Sequence, residues 1–500
     1  MPEPTPMDGL TIPHFVLVPL PAQGHTIPMV DIAHLLAERG VTVTFVTTPV
    51  NAARIRKVID RAEAAGLPIG FLELRFPCAE AGLPEGCENV DLLPSLELTP
   101  AFFRACGLLR EPLLDRLREP HQPPASCIVS DMWHLWTQGV ADELGVPRLI
   151  FHGTGCFPLL CMRNIRSSIL FDEVNDDTKP LMVPGLPHRI EITKGQSPFF
   201  RQDPESERLW NEMLTADEAC HGVVVNSFHE MESLYIEGYQ KAIGKKAWAI
   251  GPVCLYNKNE DVSVKAVRGN KSSDDGLQCL AWLDSVAPRS VVYASFGSVA
   301  YISPSQHVEI GEGLKASNHP FVWVIKPREQ SPALEQWLAE GFVESTEGRG
   351  FVIRGWAPQV AILSHSAVGG FVTHCGWNSC LEAICAGVPV LTWPFFAEQF
   401  LNERLMVSVL GIGVAAGVNT RTMLMGDEIM VKREAVEESV RKLMDGGEEG
   451  EERRKRTKEL GEKARKAMEV AGSSYQNMTD LIQEVSLHNV KVRSKMGREA

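Results

Sequence analysis

The chain has 500 residues, 44% apolar and 22% charged, with a formal charge of -14. That length exceeds one ordinary core, so two or more domains are expected, and the acidic balance argues against nucleic acid or an anionic membrane as the main partner. The start, MPEPTPMDGL, lacks the basic and apolar regions of a signal peptide, no apolar run approaches the roughly 18 residues that span a bilayer, and the twelve cysteines show no CxxC spacing; a cytoplasmic chain with reduced, mostly buried thiols is expected.

An apolar run over 14–20 reads as a buried strand, and 29–39 carries apolar residues at helical spacing before Gly40, a natural helix stop. The turn between them holds His25, and a single Gly24 does not make the G-x-G-x-x-G fingerprint of a dinucleotide site. VTVTFVTT, 41–48, completes a βαβ unit; 126–131, 147–152 and 221–227 are further runs that are apolar throughout, as in a parallel sheet covered on both faces. The polar stretch 256–275 reads as a linker or surface loop. Beyond it, runs at 290–298, 320–326, 350–356, 368–374 and 388–394 predict a second parallel sheet. The segment 446–470 mixes both charge signs at helical spacing, as a solvated helix does. Two such α/β domains facing each other across a cleft between their carboxyl edges suit an enzyme that joins two substrates away from water.

The densest stretch is WAPQVAILSHSAVGGFVTHCGWNSCLEAICAGVPVLTWPFFAEQ, 356–399. The strand ending at His374 turns through Cys375, Gly376 and Trp377 into a helix predicted to open at Asn378 and Ser379. Unpaired N–H groups and the helix dipole there favour an anion, and His374, Asn378 and Ser379 add side-chain donors, so a diphosphate would sit well. Each residue also has a plainer reading. Ser379 and Glu382 form an S-x-x-E capping box, Trp356 could be core, and Glu398 could be a first-turn acid. His374 with Cys375, Cys380 and Cys385 could suggest a metal, but spacings of five do not gather these thiols on a helix, so no metal site is expected.

Taken whole, this run resembles the donor-binding signature of the plant family 1 glycosyltransferases, UDP-sugar-dependent enzymes of secondary metabolism. WAPQ, the His before CGWNS, LE, GVP and the closing EQ fall at that family's spacing. PAQGHTIPM, Ser130-Asp131, VNSFHEME, IGPV, CLAWLD and SFGS extend the likeness along nearly the whole chain, and the amino-terminal run is most similar to the clade acting on flavonoids, triterpenoids, steroids and other phenolics. The resemblance implies an α/β fold of the GT-B type, two Rossmann-like parallel-sheet domains facing a central cleft. An acceptor-binding and catalytic-base domain is expected over 1–255, a linker over 256–275, a UDP-sugar-binding domain over 276–475, and a tail over 476–500 that packs back on the first domain as a helix.

Residue by residue, the resemblance implies that Trp356 stacks on the uracil, Ala357 offers its backbone to the base edge with Gln359 close by, and Glu382 accepts from the ribose hydroxyls. Ser298, His374, Asn378 and Ser379 would hold the diphosphate, while Trp377, Glu398 and Gln399 would read the sugar; the family more often has Asp where this chain has Glu398. His25 would be the general base and Asp131 the acid that orients it, although alone they would read as a turn histidine and a strand-end cap. Acceptor pockets of the family draw on loops at 88–103, 151–157 and 198–201, which here supply Phe102, Phe103, Phe151, Phe199 and Phe200. The leading expectation is inverting transfer of glucose from UDP-glucose to a hydroxyl of a small apolar metabolite, by a monomer that needs no cofactor beyond its donor. The alternatives are C-glycosylation of a phenolic ring and a non-catalytic nucleotide-sugar-binding protein, against which the intact His25 and Asp131 weigh.

Overall fold

The computed structural model describes residues 12–168, 173–198, 204–256, 273–422 and 429–499. The described residues form two compact units. One combines those of Met1–Gly155, Arg201–Tyr256 and Ala467–Ala500, the other those of Cys156–Phe200 and Asn257–Lys466.

The first unit is built on seven parallel strands: β1 (His14–Val18), β2 (Thr42–Thr47), β3 (Ile69–Glu73), β4 (Cys127–Asp131), β5 (Arg148–His152), β8 (Gly222–Val225) and β9 (Ala247–Ala249), in the order β3-β2-β1-β4-β5-β8-β9. Strand β1 is buried at every position. Phe15 and Leu17 enter one apolar cluster and Val16 and Val18 the other, so both faces are covered and the run shows no alternation. The long helix Ser473–Glu499 seals one face, with Met478, Leu481, Ile482 and Val485 buried among Phe15, Leu17 and Trp248. The VNSF and IGPV motifs hold each other here. The Asn226 side chain accepts from the Val253 N–H at 3.0 Å, and the Gly251 N–H donates to the Ser227 carbonyl at 2.8 Å.

The second unit has a small antiparallel hairpin, β6 (Pro180–Met182) with β7 (Glu191–Thr193), and a six-stranded parallel sheet. The sheet contains β10 (Val291–Ser295), β11 (Phe321–Ile325), β12 (Gly350–Arg354), β13 (Val368–Thr373), β14 (Val390–Thr392) and β15 (Gly413–Ala415), in the order β12-β11-β10-β13-β14-β15.

These units differ from the expected boundary at 255, because residues 156–200 group with the second unit. The reason is visible at the hairpin: the Arg404 guanidinium donates to the Glu191 carbonyl at 2.9 Å and to Gln196 at 3.2 Å, and Arg421 donates to the Pro198 carbonyl at 2.9 Å. Most of the expected linker lies outside the described residues; Ser273 caps the helix Asp274–Leu283 that follows it. Among the described residues no helix is long and apolar enough to cross a membrane.

Candidate active site

In a doubly wound sheet the strand order reverses at one point, and loops leaving the carboxyl ends there diverge and open a crevice. In the first unit that point lies between β1 and β4. The exit of β1 leads to His25, and β4 ends in Asp131. The helix after β1 runs Gln23–Ala37, so His25 sits in its first turn and not in a loop before a helix starting near Met29. This brings the His25 Nδ1 to 2.6 Å from Asp131 Oδ2, with the histidine side chain 26% exposed and the aspartate 0%. A carboxylate only accepts, so Nδ1 carries the proton and the Nε2 edge is the basic one.

Burial alone would push the Asp131 carboxyl up; the charge and hydrogen bond of His25, the nearby His134 and the Trp133 N–H outweigh it and hold the pKa below the usual carboxylate value. The Trp133 N–H reaches Asp131 Oδ1 at 3.1 Å. Behind the pair, His134 Nε2 donates to the Pro19 carbonyl at 3.0 Å, tying the loop after β4 to the exit of β1. Buried Arg148 donates from Nε to Ser130 Oγ at 3.0 Å and Thr137 Oγ1 at 2.8 Å, and from Nη2 to the His134 carbonyl at 3.3 Å. Sequence reasoning missed His134 and Arg148, and also Trp133, whose N–H meets the carboxylate and whose partly exposed ring lies 5.4 Å from that of Phe103. Of the expected acceptor aromatics, Phe102 and Phe151 are fully buried core residues and Phe103 is partly exposed. Phe199 and Phe200 lie outside the described residues.

The second unit repeats the arrangement, with its reversal between β10 and β13. Ser298 follows β10, and His374 follows β13 directly. Cys375 takes a left-handed conformation, φ 64°, which turns the chain sharply into the helix Trp377–Ala386. The buried side chain of Asn402 donates to the Cys375 carbonyl at 2.9 Å and fixes that turn. The His374 ring is wedged between two glycines: a Cβ at either Gly297 or Gly376 would overlap it. Burial, aided by the charge of Lys326, pushes the His374 pKa down to about 3, so the ring is neutral at pH 7, and its Nδ1 is buried with no hydrogen-bond partner among the described residues.

The helix is capped by Gly376, so Ser379 is its third residue and the plainer alternative, a capping box with Glu382, does not form. Glu382 Oε2 instead accepts from Gln359 Nε2 at 2.8 Å, and the same nitrogen donates to Ser379 Oγ at 3.0 Å. Gln359 thus links the helix to the WAPQ loop, where Trp356 is partly exposed and its Nε1 has no partner among the described residues. Ala357 is buried and its carbonyl takes the Gln359 N–H at 2.8 Å. Trp377 is only 2% exposed, so its ring belongs to the packing under the helix opening. Gln399 Oε1 accepts from the N–H groups of Phe395, 2.8 Å, and Phe396, 3.1 Å, which leaves its NH2 as the group to face a ligand. Glu398 is partly exposed, with Asn402 Nδ2 at 3.3 Å from its carboxylate. Among the described residues no group of three or more His, Cys, Asp and Glu side chains could hold a metal ion.

A UDP-glucoronosyl and UDP-glucosyl transferase family model matches residues 245–442, and a glycosyltransferase N-terminal domain model matches residues 14–255. UDP-glycosyltransferase 73C6 of Arabidopsis thaliana is 48% identical over 480 residues, 94% of this chain and 96% of the relative. Among solved structures, Glycyrrhiza uralensis UGT73P12 complexed with glycyrrhetinic acid 3-O-monoglucuronide superposes with a TM-score of 0.90 at 38% identity, over 98% of this chain and 99% of that one. Phytolacca americana UGT2, complexed with UDP-2fluoro-glucose and pterostilbene, gives a TM-score of 0.74 at 26% identity, over 95% and 100% of the two chains. With both halves matched and such identity across nearly its whole length, the chain belongs to the plant family 1 UDP-glycosyltransferases, built on two parallel-sheet domains of the GT-B type.

Proposed function

We propose that this UDP-glycosyltransferase transfers glucose from UDP-glucose to a hydroxyl of a small apolar metabolite of the flavonoid, triterpenoid, steroid or phenolic kind, giving a β-glucoside. The observation that carries the proposal is the 2.6 Å contact between His25 Nδ1 and the fully buried Asp131. With its Nδ1 proton fixed on a carboxylate, the imidazole accepts the acceptor's hydroxyl proton at Nε2, and Asp131 stabilises the imidazolium that forms. The freed oxygen bonds the anomeric carbon as the bond from that carbon to the β-phosphate oxygen breaks, and UDP leaves with the electron pair. Attack from the face opposite UDP turns an α-linked donor into a β-product. The leaving charge is met by the helix opening at Trp377–Ala386 and by donors from Ser298, His374, Asn378 and Ser379, without a metal.

For the sugar, Gln399 offers donors only and Glu398 stands beside it. A carboxylate at sugar C6 would meet a like charge, and no Lys or Arg lies between Trp356 and Gln399 to receive it. Glucose is therefore favoured over glucuronic acid by at least about tenfold in kcat/KM, roughly 1.4 kcal/mol. The relative complexed with pterostilbene supports a small apolar phenolic acceptor, and the one complexed with glycyrrhetinic acid 3-O-monoglucuronide keeps the triterpenoid class in the panel. The test is a panel of flavonoids, triterpenoids, steroids and simple phenols offered with equal UDP-glucose, UDP-galactose and UDP-glucuronic acid, read by mass spectrometry with acid hydrolysis of the products. Acid-labile glucosides are expected; acid-stable products would establish C-glycosylation, a glucuronide or galactoside as main product would overturn the donor assignment, and absence of transfer to any acceptor would overturn the whole proposal.

A further inference from the structure

Beside the Ser298 loop, the turn after β11 presents two cations that no motif in the sequence points to. Arg328 Nη2 donates to the carbonyls of Ser298 at 3.0 Å and Ala300 at 2.7 Å, and also to that of Val299. Lys326 Nζ donates to the Ala300 carbonyl as well, and pairs with Glu329 Oε1 at 2.9 Å. Glu329, almost fully buried, accepts the N–H of Ile302 at 2.9 Å and that of Lys326 at 3.2 Å. The loop 298–302 is therefore gripped along its length by the turn 326–329.

The C=O and N–H of a trans peptide point in opposite directions. Three successive carbonyls gathered on cations thus turn the N–H groups of Val299, Ala300 and Tyr301 the other way, and among the described residues none of these three donates a backbone hydrogen bond. The loop begins at Gly297, φ 70°, which sits against the His374 ring. Successive unpaired N–H groups that point to one side give that face of the loop a positive potential, which favours an anion. On the reading of this edge as the UDP-sugar seat, we infer that Arg328 and Lys326 are positioning residues for the leaving diphosphate, holding the 298–300 peptides so that their N–H groups face its oxygens. The hydrogen bonds of both side chains go to loop carbonyls and to Glu329. Each acts through peptide dipoles whose positive ends it fixes before charge develops.

The experiment compares UDP with uridine, which shares the base and ribose but lacks the anion, on the full chain. Arg328 is exposed, so Arg328→Met leaves the core intact. UDP affinity, by calorimetry, should fall about 10- to 100-fold, which is about 1.4 to 2.7 kcal/mol, whereas uridine affinity, by ligand-observed NMR, should change by less than about twofold. Arg328→Lys should recover UDP binding to within about threefold of the unsubstituted protein, because an ammonium can still donate to several carbonyls. Lys326→Met should show the same selective loss. Equal losses for UDP and uridine, or unchanged UDP affinity in both Met variants, would overturn the inference. If the unsubstituted protein binds uridine but not UDP, or neither, the donor-seat reading falls and takes the inference with it.

Discussion

Replacing Asp131 by Asn removes one acceptor from a fully buried site where two donors converge. Trp133 N–H reaches Oδ1 at 3.1 Å and His25 Nδ1 reaches Oδ2 at 2.6 Å. An amide has one oxygen. If that oxygen faces Trp133, the NH2 meets Nδ1, the imidazole proton moves to Nε2 and the base is lost. If it faces His25, the NH2 opposes the Trp133 N–H and leaves a buried donor unmet, at about 1–3 kcal/mol. The inactive tautomer is therefore favoured by that margin, and losing the charged hydrogen bond to the imidazolium adds about 1.5–3 kcal/mol. Together these raise the barrier by about 2.5–6 kcal/mol, or about 10²- to 10⁴-fold in kcat. UDP affinity should be unchanged. Initial rates with UDP-glucose and one accepted phenol, measured across pH, discriminate the cause. A tautomer defect persists at every pH, whereas loss of charge alone would move the acidic limb to lower pH and spare the plateau. A plateau kcat within tenfold of the unsubstituted enzyme would refute the orienting role.

Gly376→Ala places a methyl group into the His374 ring, so UDP affinity should fall at least about tenfold while the fold survives; calorimetry returning an unaltered Kd would contradict the wedge. The His374 pKa is lowered from 6.5 to about 3 in the folded chain, so its stability contribution is complete above pH 6.5 and is lost as pH falls towards 3; Glu329, held at about 2, adds a loss between 4.5 and 2. An anion beside His374 favours its charged form, so Tm should fall less from pH 7 to 5 with saturating UDP than without, and His374→Gln should abolish that difference; parallel falls in the unsubstituted protein would remove His374 from the anion site. If protein donors alone hold the diphosphate, excess EDTA should leave activity unchanged, and a strict Mg²⁺ or Mn²⁺ requirement would reject the seat as drawn.

The strands that carry the site were legible because they are buried on both faces, which writes a continuous apolar run: HFVLV and CIVSD need no partner to be recognised. By contrast AWA (β9) and GVA (β15) are too short to carry a pattern, and Gly70 interrupts IGFLE (β3). The helix of His25 opens at Gln23 behind Ala22, which makes no side-chain cap, and Pro28 lies inside it, so nothing local announced its start. The Ser379-x-x-Glu382 pattern, whose plainer reading was a capping box, makes none, since a glycine caps that helix earlier. Donor-site candidates clustered within 356–399 were readable from resemblance, but Asn402 and Arg328 act on carbonyls 27 to 30 residues away, and no spacing encodes such a contact. The placement of 156–200 likewise depends on Arg404 and Arg421, far along the chain.

The helix Ser473–Glu499 completes an apolar face whose strands begin at His14. During synthesis, the ribosome must deliver residues 257–466, nearly all of the second unit, before the first receives that covering. At about 5–20 residues per second this interval lasts on the order of 10 to 40 seconds, long compared with collapse of a nascent chain. For that time Phe15, Leu17 and Trp248 lack four of their eventual neighbours, so the nascent first unit is a natural client for chaperones that hold apolar surface. Premature termination shortly before Ser473 would release chains with a complete second unit and an open sheet face on the first, prone to aggregate.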